Sequence, residues 1–328
     1  MAIAGTTIVP QSGLSSIVGE LVAERMSQLP AYAAAQTAAP IIGRRARNGT
    51  YIADTTYRGL DLSAAPTAAT AGSLYGTEYP SAGQSFATGT YAVERYLVDQ
   101  QDVPDAVLEE WAEQAGISME SRVADLLAER VAAVHDYNVW SVLGAQATWA
   151  SGYKSDPGNI TSASFSLIGL LRTVSEALRL GQKWMPGQPM DVFIAEDTVP
   201  YIQLLSEVRA RLTSQSATNT IPTPDEIAAF FAAYLPGATV HRVMSNYKAA
   251  NGTVTNSLSG AILFQPARPG WARSAVTVAP LGPNTVSVAS VRTERVEALP
   301  GLRLYADGHM DVKVLDDAGA YLAHSLLS

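Results

Sequence analysis

One segment of this chain, residues 44–90, carries few of the large aliphatic side chains from which a hydrophobic core is built. It is rich instead in Ala, Gly, Thr, Ser and Tyr, although 47% of the whole chain is hydrophobic. The sequence RRARNGTYIADTTYRGL alternates weakly and contains Asn48-Gly49, a favoured hairpin turn, so it predicts a two-stranded ribbon. A ribbon without a core is unstable alone. We therefore expect this segment to be disordered or to lie against a partner.

The first part of the chain, residues 1–43, is irregular and then becomes amphipathic. Apolar residues recur at helical spacing from Leu14 to Val22 and predict a helix over 13–29 that ends at Pro30. One isolated helix of this length is marginal in water. We expect it to dock either on the chain's own core or on a neighbouring molecule.

A strand that leads into two helices follows the core-poor segment. The run YAVERYLV predicts a strand over 91–98, and Asp102 followed by Pro104 predicts the start of an acidic helix. Gly116 ends that helix. A longer helix is predicted over 119–146, which corresponds to a rigid rod of about 40 Å.

The rest of the chain alternates helices with strands, which is typical of a compact α/β domain. Helices are predicted over 164–180, 198–212 and 224–234, the last with Thr223 as its N-cap. Strands are predicted over 190–195, 238–243, 258–265, 274–280, 284–298, 302–306, 311–315 and 320–324. The mean hydropathy of +0.08 is high for a soluble chain. It indicates that part of the surface is covered by something else.

The net charge of −8 is concentrated in one segment. Eleven acids and three bases lie between Glu94 and Asp136, so this segment alone carries −8 and the other residues sum to zero. This balance excludes a chain-wide polycation for nucleic acid. The core-poor segment carries four arginines, Arg44, Arg45, Arg47 and Arg58. Since acids lie among them, ion pairs between subunits explain these arginines better than phosphate binding does.

Catalytic motifs are missing from the sequence: it has no GxxxxGK[ST], no HExxH and no GxSxG. Two weaker patterns allow two interpretations each. Asp307, His309 and Asp311 could share one face of a strand as metal ligands, or Asp-Gly could form a turn between strands. His135 and Asp136 could act as a base with its orienting carboxylate, or the histidine could be a partly buried packing residue. We expect no enzyme activity, no cofactor and no metal site.

Three features of the sequence limit where in or outside the cell the protein is expected to occur. The chain has no cysteine, so it cannot form disulfides. Its N-terminus has no basic region followed by an apolar core, so no signal peptide is expected. No run reaches the roughly 18 apolar residues of a transmembrane helix, so no membrane association is expected.

The order of these elements resembles the major capsid proteins of tailed bacteriophages, which share the Hong Kong 97-type capsid fold with encapsulins. Three regions carry the resemblance, namely TYAVERYLVDQQDVPDAVLEEWAEQAG with SMESRVADLLAERVAAVHDYNVWSVLG, then WMPGQPMDVFIAEDTVPYIQLLSEVRARL, and finally VRTERVEALPGLRLYADGHMDVKVLDDAGAYL. The resemblance implies an α+β fold in four parts. They are an N-terminal arm (1–43), an extended loop over a neighbouring subunit (44–90), a peripheral domain with a long spine helix (91–150 and 284–310), and an axial domain (151–283 and 311–328).

The resemblance also implies a function and partners. The protein would assemble in the cytoplasm of a host bacterium into hexamers and pentamers of an icosahedral or prolate head. This virion capsid would enclose double-stranded DNA, contacted only non-specifically. Scaffold and portal proteins would be partners, and a decoration protein is compatible with the pattern. Because the arm begins near Met1, we expect a separate scaffold. An encapsulin-type compartment is the alternative, and the long arm favours the virus.

Subunit contacts follow from the same resemblance. We predict that the basic loop pairs with acids of an adjacent subunit, with the contact residues Arg44, Arg45, Arg47, Arg58, Asp99, Asp102, Asp105, Glu109 and Glu110. Some members of the family join a loop lysine to an asparagine of the neighbour. The four lysines here are Lys154, Lys183, Lys248 and Lys313, so none lies between 41 and 92. A shell held without covalent links is therefore expected.

Overall fold

The computed structural model describes residues 21–44, 48–54, 86–107, 110, 119–181, 183–213, 221–248, 252–267, 274–280, 285–286, 289–296 and 301–327. The helices are α1 (21–28), α2 (Pro30–Ala38), α3 (105–107), α4 (Met119–Leu143), α5 (Leu167–Leu180), α6 (Val199–Leu204), α7 (Ser206–Thr213) and α8 (Pro224–Tyr234). Two short 3-10 helices, Gln146–Thr148 and Ser151–Tyr153, follow α4. The strands are β1 (Ile41–Arg44), β2 (Asn48–Asp54), β3 (Phe86–Ala92), β4 (Glu94–Pro104), β5 (Lys154–Ser155), β6 (Met190–Ala195), β7 (Ala238–Val243), β8 (Asn246–Lys248), β9 (Val254–Asn256), β10 (Ile262–Pro266), β11 (Ala275–Pro280), β12 (Thr285–Val286), β13 (Ala289–Val296), β14 (Gly301–Val314) and β15 (Tyr321–Ala323).

A six-stranded sheet is built around the long strand β14. Residues 301–308 of β14 pair with β13, and residues 301–310 pair with β4. Residues 311–314 pair with β11, which in turn pairs in parallel with β1. Helix α4 packs against this sheet, and α1 packs against α4. The core that they share contains Val22, Met26, Leu127, Val131, Ala306 and Met310.

A five-stranded sheet has the order β5-β15-β10-β6-β7. All six residues of β6 are buried because both faces of the sheet are covered. Val192 and Ile194 pack on one face with α5 and α8. Phe193 and Ala195 pack on the other face with α2 and the end of α4. The α2–α4 layer therefore contacts both sheets.

The N-terminal helix docks on the chain's own core, which is one of the two expected arrangements. Val22 and Met26 are buried, and Nε of Arg25 lies 3.0 Å from Oδ1 of Asp125 on α4. The predicted end at Pro30 is confirmed, but Pro30 is also the first residue of α2, a helix that the sequence pattern did not predict. Residues 13–20 of the predicted helix lie outside the described residues.

The predicted two-stranded ribbon is confirmed, but the predicted position of its hairpin turn is wrong. Strands β2 and β3 form a two-stranded antiparallel sheet from Asn48 opposite Ala92 to Asp54 opposite Phe86. Asn48 and Gly49 begin β2 and do not form the predicted hairpin turn. Gly49 serves close packing instead: a Cβ atom there would lie 2.5 Å from Oη of Tyr91.

The predicted start of the acidic helix at Asp102 is also wrong. Strand β4 continues to Pro104, and helical residues begin at 105. Asp102 lies in register with Arg303 in the pairing of β4 with β14. The backbone groups of this part of β4 are therefore paired with β14 and are not used in a helix. Pairing with a distant strand overrides the local capping pattern here.

Most elements of the second half were predicted correctly. The strand over 190–195 is confirmed at both ends. Thr223 caps α8, since its Oγ1 accepts from the Glu226 amide and the Glu226 carboxylate accepts from the Thr223 amide at 2.7 Å. The helix predicted over 198–212 breaks at Leu205 into α6 and α7. The strands predicted over 302–306 and 311–315 are parts of the single strand β14. The domain boundaries stay predictions.

Candidate assembly surfaces

Five of the nine predicted contact residues can be placed. Asp99 and Asp102 lie on β4 in register with β14, and Arg44 is the last residue of β1. Asp105 is half-buried at the start of α3, and Glu110 is exposed. Four others lie outside the described residues: Arg45, Arg47, Arg58 and Glu109. The pairing between subunits stays a prediction.

His135 and Asp136 lie beneath α2, and their burial favours the packing interpretation. They are 0% and 2% exposed, and Nδ1 of His135 is 3.7 Å from Oδ1 of Asp136. The ring of Tyr32 on α2 lies 4.8 Å from the imidazole, centroid to centroid. Burial raises the pKa of Asp136, and burial together with the charge of Asp136 raises the pKa of Tyr32 to about 12. A wholly buried imidazole cannot meet a substrate in this state.

The alternating acidic pattern on β14 holds strands together. Because β14 is continuous, the Asp-Gly turn is wrong. Nη2 of Arg95 donates to Oδ2 of Asp307 at 2.7 Å. Oδ2 of Asp311 accepts from the amide of Ala92 at 2.8 Å and lies 3.1 Å from Nζ of Lys313. These contacts fix the junction of β3 and β4 on β14.

Two other kinds of site are missing from the part of the chain that the structure describes. No three His, Asp or Glu side chains there lie close enough together to hold a metal ion. No helix within the same ranges has the length and apolar character needed to cross a membrane.

An apolar surface lies beside α6, and we call it the α6 patch. It consists of Tyr201, Leu204 and Ile221, whose exposed fractions are 38%, 58% and 64%. Nε2 of Gln203 donates to the carbonyl oxygen of Pro222 at 2.8 Å, which holds the end of α6 next to the segment before α8. A groove of about 110 Å³ lies between the starts of α6 and α8, and Val199 and Asp225 are among the residues that line it.

Two further exposed apolar residues, which we call the α5 patch, lie at the end of α5 and in the segment that follows it. Leu180 and Met185 are 59% and 55% exposed. The sequence pattern predicts neither patch, because a helical pattern identifies the buried stripe of a helix and says little about apolar residues off that stripe. The high mean hydropathy was the only available signal, and it gives no position.

Comparison with known proteins gives a match by structure only. No protein-family model matches the sequence, and no curated protein matches it. A phage-related protein from Bordetella bronchiseptica RB50 is similar at a TM-score of 0.69 and 11% identity, over 94% of this chain and 97% of that one. The capsid of a native GTA particle is similar at 0.53 and 14% identity, over 89% of each chain. The SrpI encapsulin of Synechococcus elongatus PCC 7942 is similar at 0.50 and 10% identity, over 98% of this chain and 92% of that one. The chain therefore has the mixed α+β fold of phage major capsid proteins.

Proposed function

We propose that this protein is the major structural protein of a phage head. Its copies assemble into hexamers and pentamers of an icosahedral or prolate shell around double-stranded DNA, and its role is structural and not catalytic. One observation carries this proposal: the likeness to the capsid of a native GTA particle extends over 89% of each chain at a TM-score of 0.53. A whole-chain likeness supports a shared architecture better than a likeness of one domain would.

The ribbon supports a role in assembly. Within the described ranges, β2 and β3 pair with each other and with no third strand. A two-stranded sheet of this kind is marginal by itself. Laid on a neighbouring subunit, it would gain a core and add a tether to that neighbour. Several tethers raise the effective concentration of each further contact, so weak contacts sum to a stable shell.

The distribution of charge supports a DNA-filled interior. The segment from Glu94 to Asp136 carries the whole net charge of −8. In our proposal, some of its acids pair with the loop arginines of the next subunit. Acids left on the inner surface repel DNA, so that the packaged molecule is contained without being bound.

The proposed partners follow from this role. Scaffold and portal proteins direct assembly in the host bacterial cytoplasm, and a decoration protein reinforces the outer surface of the virion. The chain has no cysteine and no lysine between 41 and 92, so the shell depends on many non-covalent contacts.

The second candidate is an encapsulin-type compartment, which the likeness to SrpI favours. Particles isolated from producing cells distinguish the two functions. After nuclease treatment, a phage head should retain protected double-stranded DNA. Closed shells that hold a co-purifying cargo protein and no DNA would favour the compartment. A protein that sediments only as a 34.6 kDa monomer at every concentration would contradict both.

A further inference from the structure

We propose that the α6 patch of one copy packs against the α5 patch of the next copy, so that subunits join head to tail in a ring. This inference rests on the proposed function, because it names the surfaces through which a shell-forming subunit would bind its neighbour. The ligand of each patch is a second copy of this chain.

The two patches lie at opposite ends of one sheet. Met185 precedes the first residue of β6, whereas α6 follows the last one. Helix α5 runs back along the sheet: Ser166 at its start donates from Oγ to Glu207 of α7 at 2.6 Å, and Leu180 lies at its other end. Fourteen residues of helix span about 20 Å. Contact between the patches of one molecule is therefore excluded, while contact between two molecules is open.

The exposed apolar residues are concentrated at these ends. Among the residues whose burial the structure describes, eight large hydrophobic ones are exposed, and five of these belong to the two patches. Scattered single residues of this kind need no explanation, whereas a contiguous apolar patch marks an interaction site.

The charges at the two rims are complementary. The exposed charges of α5 are Arg172, Glu176 and Arg179, a net positive set, and Arg179 adjoins Leu180. Near the α6 patch lie exposed Asp225 at the start of α8 and two half-buried residues of α7, Glu207 and Arg209, so this rim is net negative. Nε of Arg209 donates to the carbonyl oxygen of Gln203 at 3.3 Å. Arg242 also lines the groove there, but its guanidinium is paired with the carboxylate of Glu196. The charge of Arg242 therefore does not neutralise the negative charge of Asp225.

The charges at the two patches also favour a head-to-tail contact between subunits over a two-fold contact. A two-fold contact of the α6 patch with itself would bring two copies of Asp225 together, and like charges across an interface are unfavourable. Contact between unlike patches brings Asp225 toward Arg179. Such a heterologous contact closes into rings when the rotation between subunits permits. Hexamers and pentamers are rings of this type.

Engineered cysteines test the contact directly, because the natural chain has none. A disulfide requires Cα atoms within about 7 Å, so Tyr201→Cys, Leu204→Cys or Ile221→Cys should be combined in turn with Leu180→Cys or Met185→Cys. We expect at least one combination, such as L204C with M185C, to give a ladder of multimers after oxidation that reductant collapses. Each single-cysteine variant should run on the same gel as a band of one chain. V254C with M185C is the control, since Val254 is 65% exposed but belongs to neither patch.

Substitution by a charge gives a second readout. Leu204→Asp should leave the subunit folded, because Leu204 is 58% exposed, and should raise the concentration needed for assembly by about tenfold or more. Val254→Asp is the matched control and should assemble like the wild type. If the wild type forms shells while no cysteine combination cross-links and Leu204→Asp assembles normally, this inference is wrong and the proposed function stands. If the wild type never assembles, the proposed function fails and this inference with it.

Discussion

Arg95 on β4 donates a hydrogen bond of 2.7 Å from Nη2 to Oδ2 of Asp307 on β14, whose side chain is 1% exposed. The contact lies where the register between the two strands shifts, between Ala306 and Asp307. A shift of this kind disrupts the backbone pairing locally. The buried carboxylate and its guanidinium partner therefore fix the alignment of β4, the strand that leads out of the ribbon.

Replacing Arg95 by Leu should lower the free energy of unfolding by about 1–3 kcal/mol, because a buried carboxylate loses a charge-assisted hydrogen bond. Chemical denaturation of the unassembled subunit measures this. Arg172→Leu, at an exposed position on α5, is the matched control and should change stability by about 0.5 kcal/mol or less. Equal effects of the two substitutions would show that the Arg95 contact contributes nothing to stability.

Asp136→Asn should stabilise the folded subunit at neutral pH. Burial raises the pKa of Asp136 in the folded state above its ordinary value of 3.8, so the folded protein holds the proton more tightly than the unfolded chain. Wild-type stability should therefore fall as pH rises from about 4 through the raised pKa, and an asparagine removes that loss. Denaturation midpoints of both proteins across this range measure the difference.

Glu24→Gln, at an exposed position on α1, controls for the loss of one negative charge in the same titration. Parallel stability curves for the wild type and Asp136→Asn would contradict the account of Asp136. A variant that is less stable at neutral pH would contradict it as well.

Reversing Arg44, Arg45 and Arg47 together to Glu should impair assembly more than it impairs folding of the subunit. Rim ion pairs are worth only about 0–1 kcal/mol each, so a single reversal should be tolerated. Sedimentation at low salt, where such pairs are strongest, measures the effect. Normal assembly of the triple variant under these conditions would refute pairing of the loop with acids of another subunit.

Mature particles boiled in SDS should run as a single band near 34.6 kDa. Disulfides are excluded by the absence of cysteine, and the loop offers no lysine amine for an isopeptide bond. The stability of the shell should then depend on salt and subunit concentration. A reductant-resistant ladder of dimers to hexamers would show that the subunits are covalently joined.

Local patterns predicted the elements that depend on local interactions. Thr223 caps α8 as expected, because a capping box involves only neighbouring residues. The run MDVFIA gives β6 with both ends correct, since a continuous apolar run fits a strand buried on both faces. Helix α4 ends three residues before its predicted end at 146.

Patterns failed where a distant segment decides the structure. Asn48-Gly49 has the composition of a turn, but Tyr91 packs where a side chain at position 49 would lie. Asp102 and Pro104 have the composition of a helix start, but β14 pairs with them as a strand. The sequence did not predict the α6 and α5 patches for a related reason. The exposure of a side chain depends on which other parts of the folded chain cover it. Both kinds of feature depend on tertiary or quaternary contacts, which a single sequence does not display.

The central claim is that copies of this chain build a closed shell, and electron microscopy of the purified protein tests it most directly. We predict closed particles of uniform size whose walls consist of five- and six-membered rings of the 34.6 kDa subunit. Three-dimensional reconstruction should place the α6 patch of each subunit against the α5 patch of the next within a ring. Fields of single subunits or irregular aggregates, at concentrations and salt conditions that keep the subunit folded, would contradict the claim.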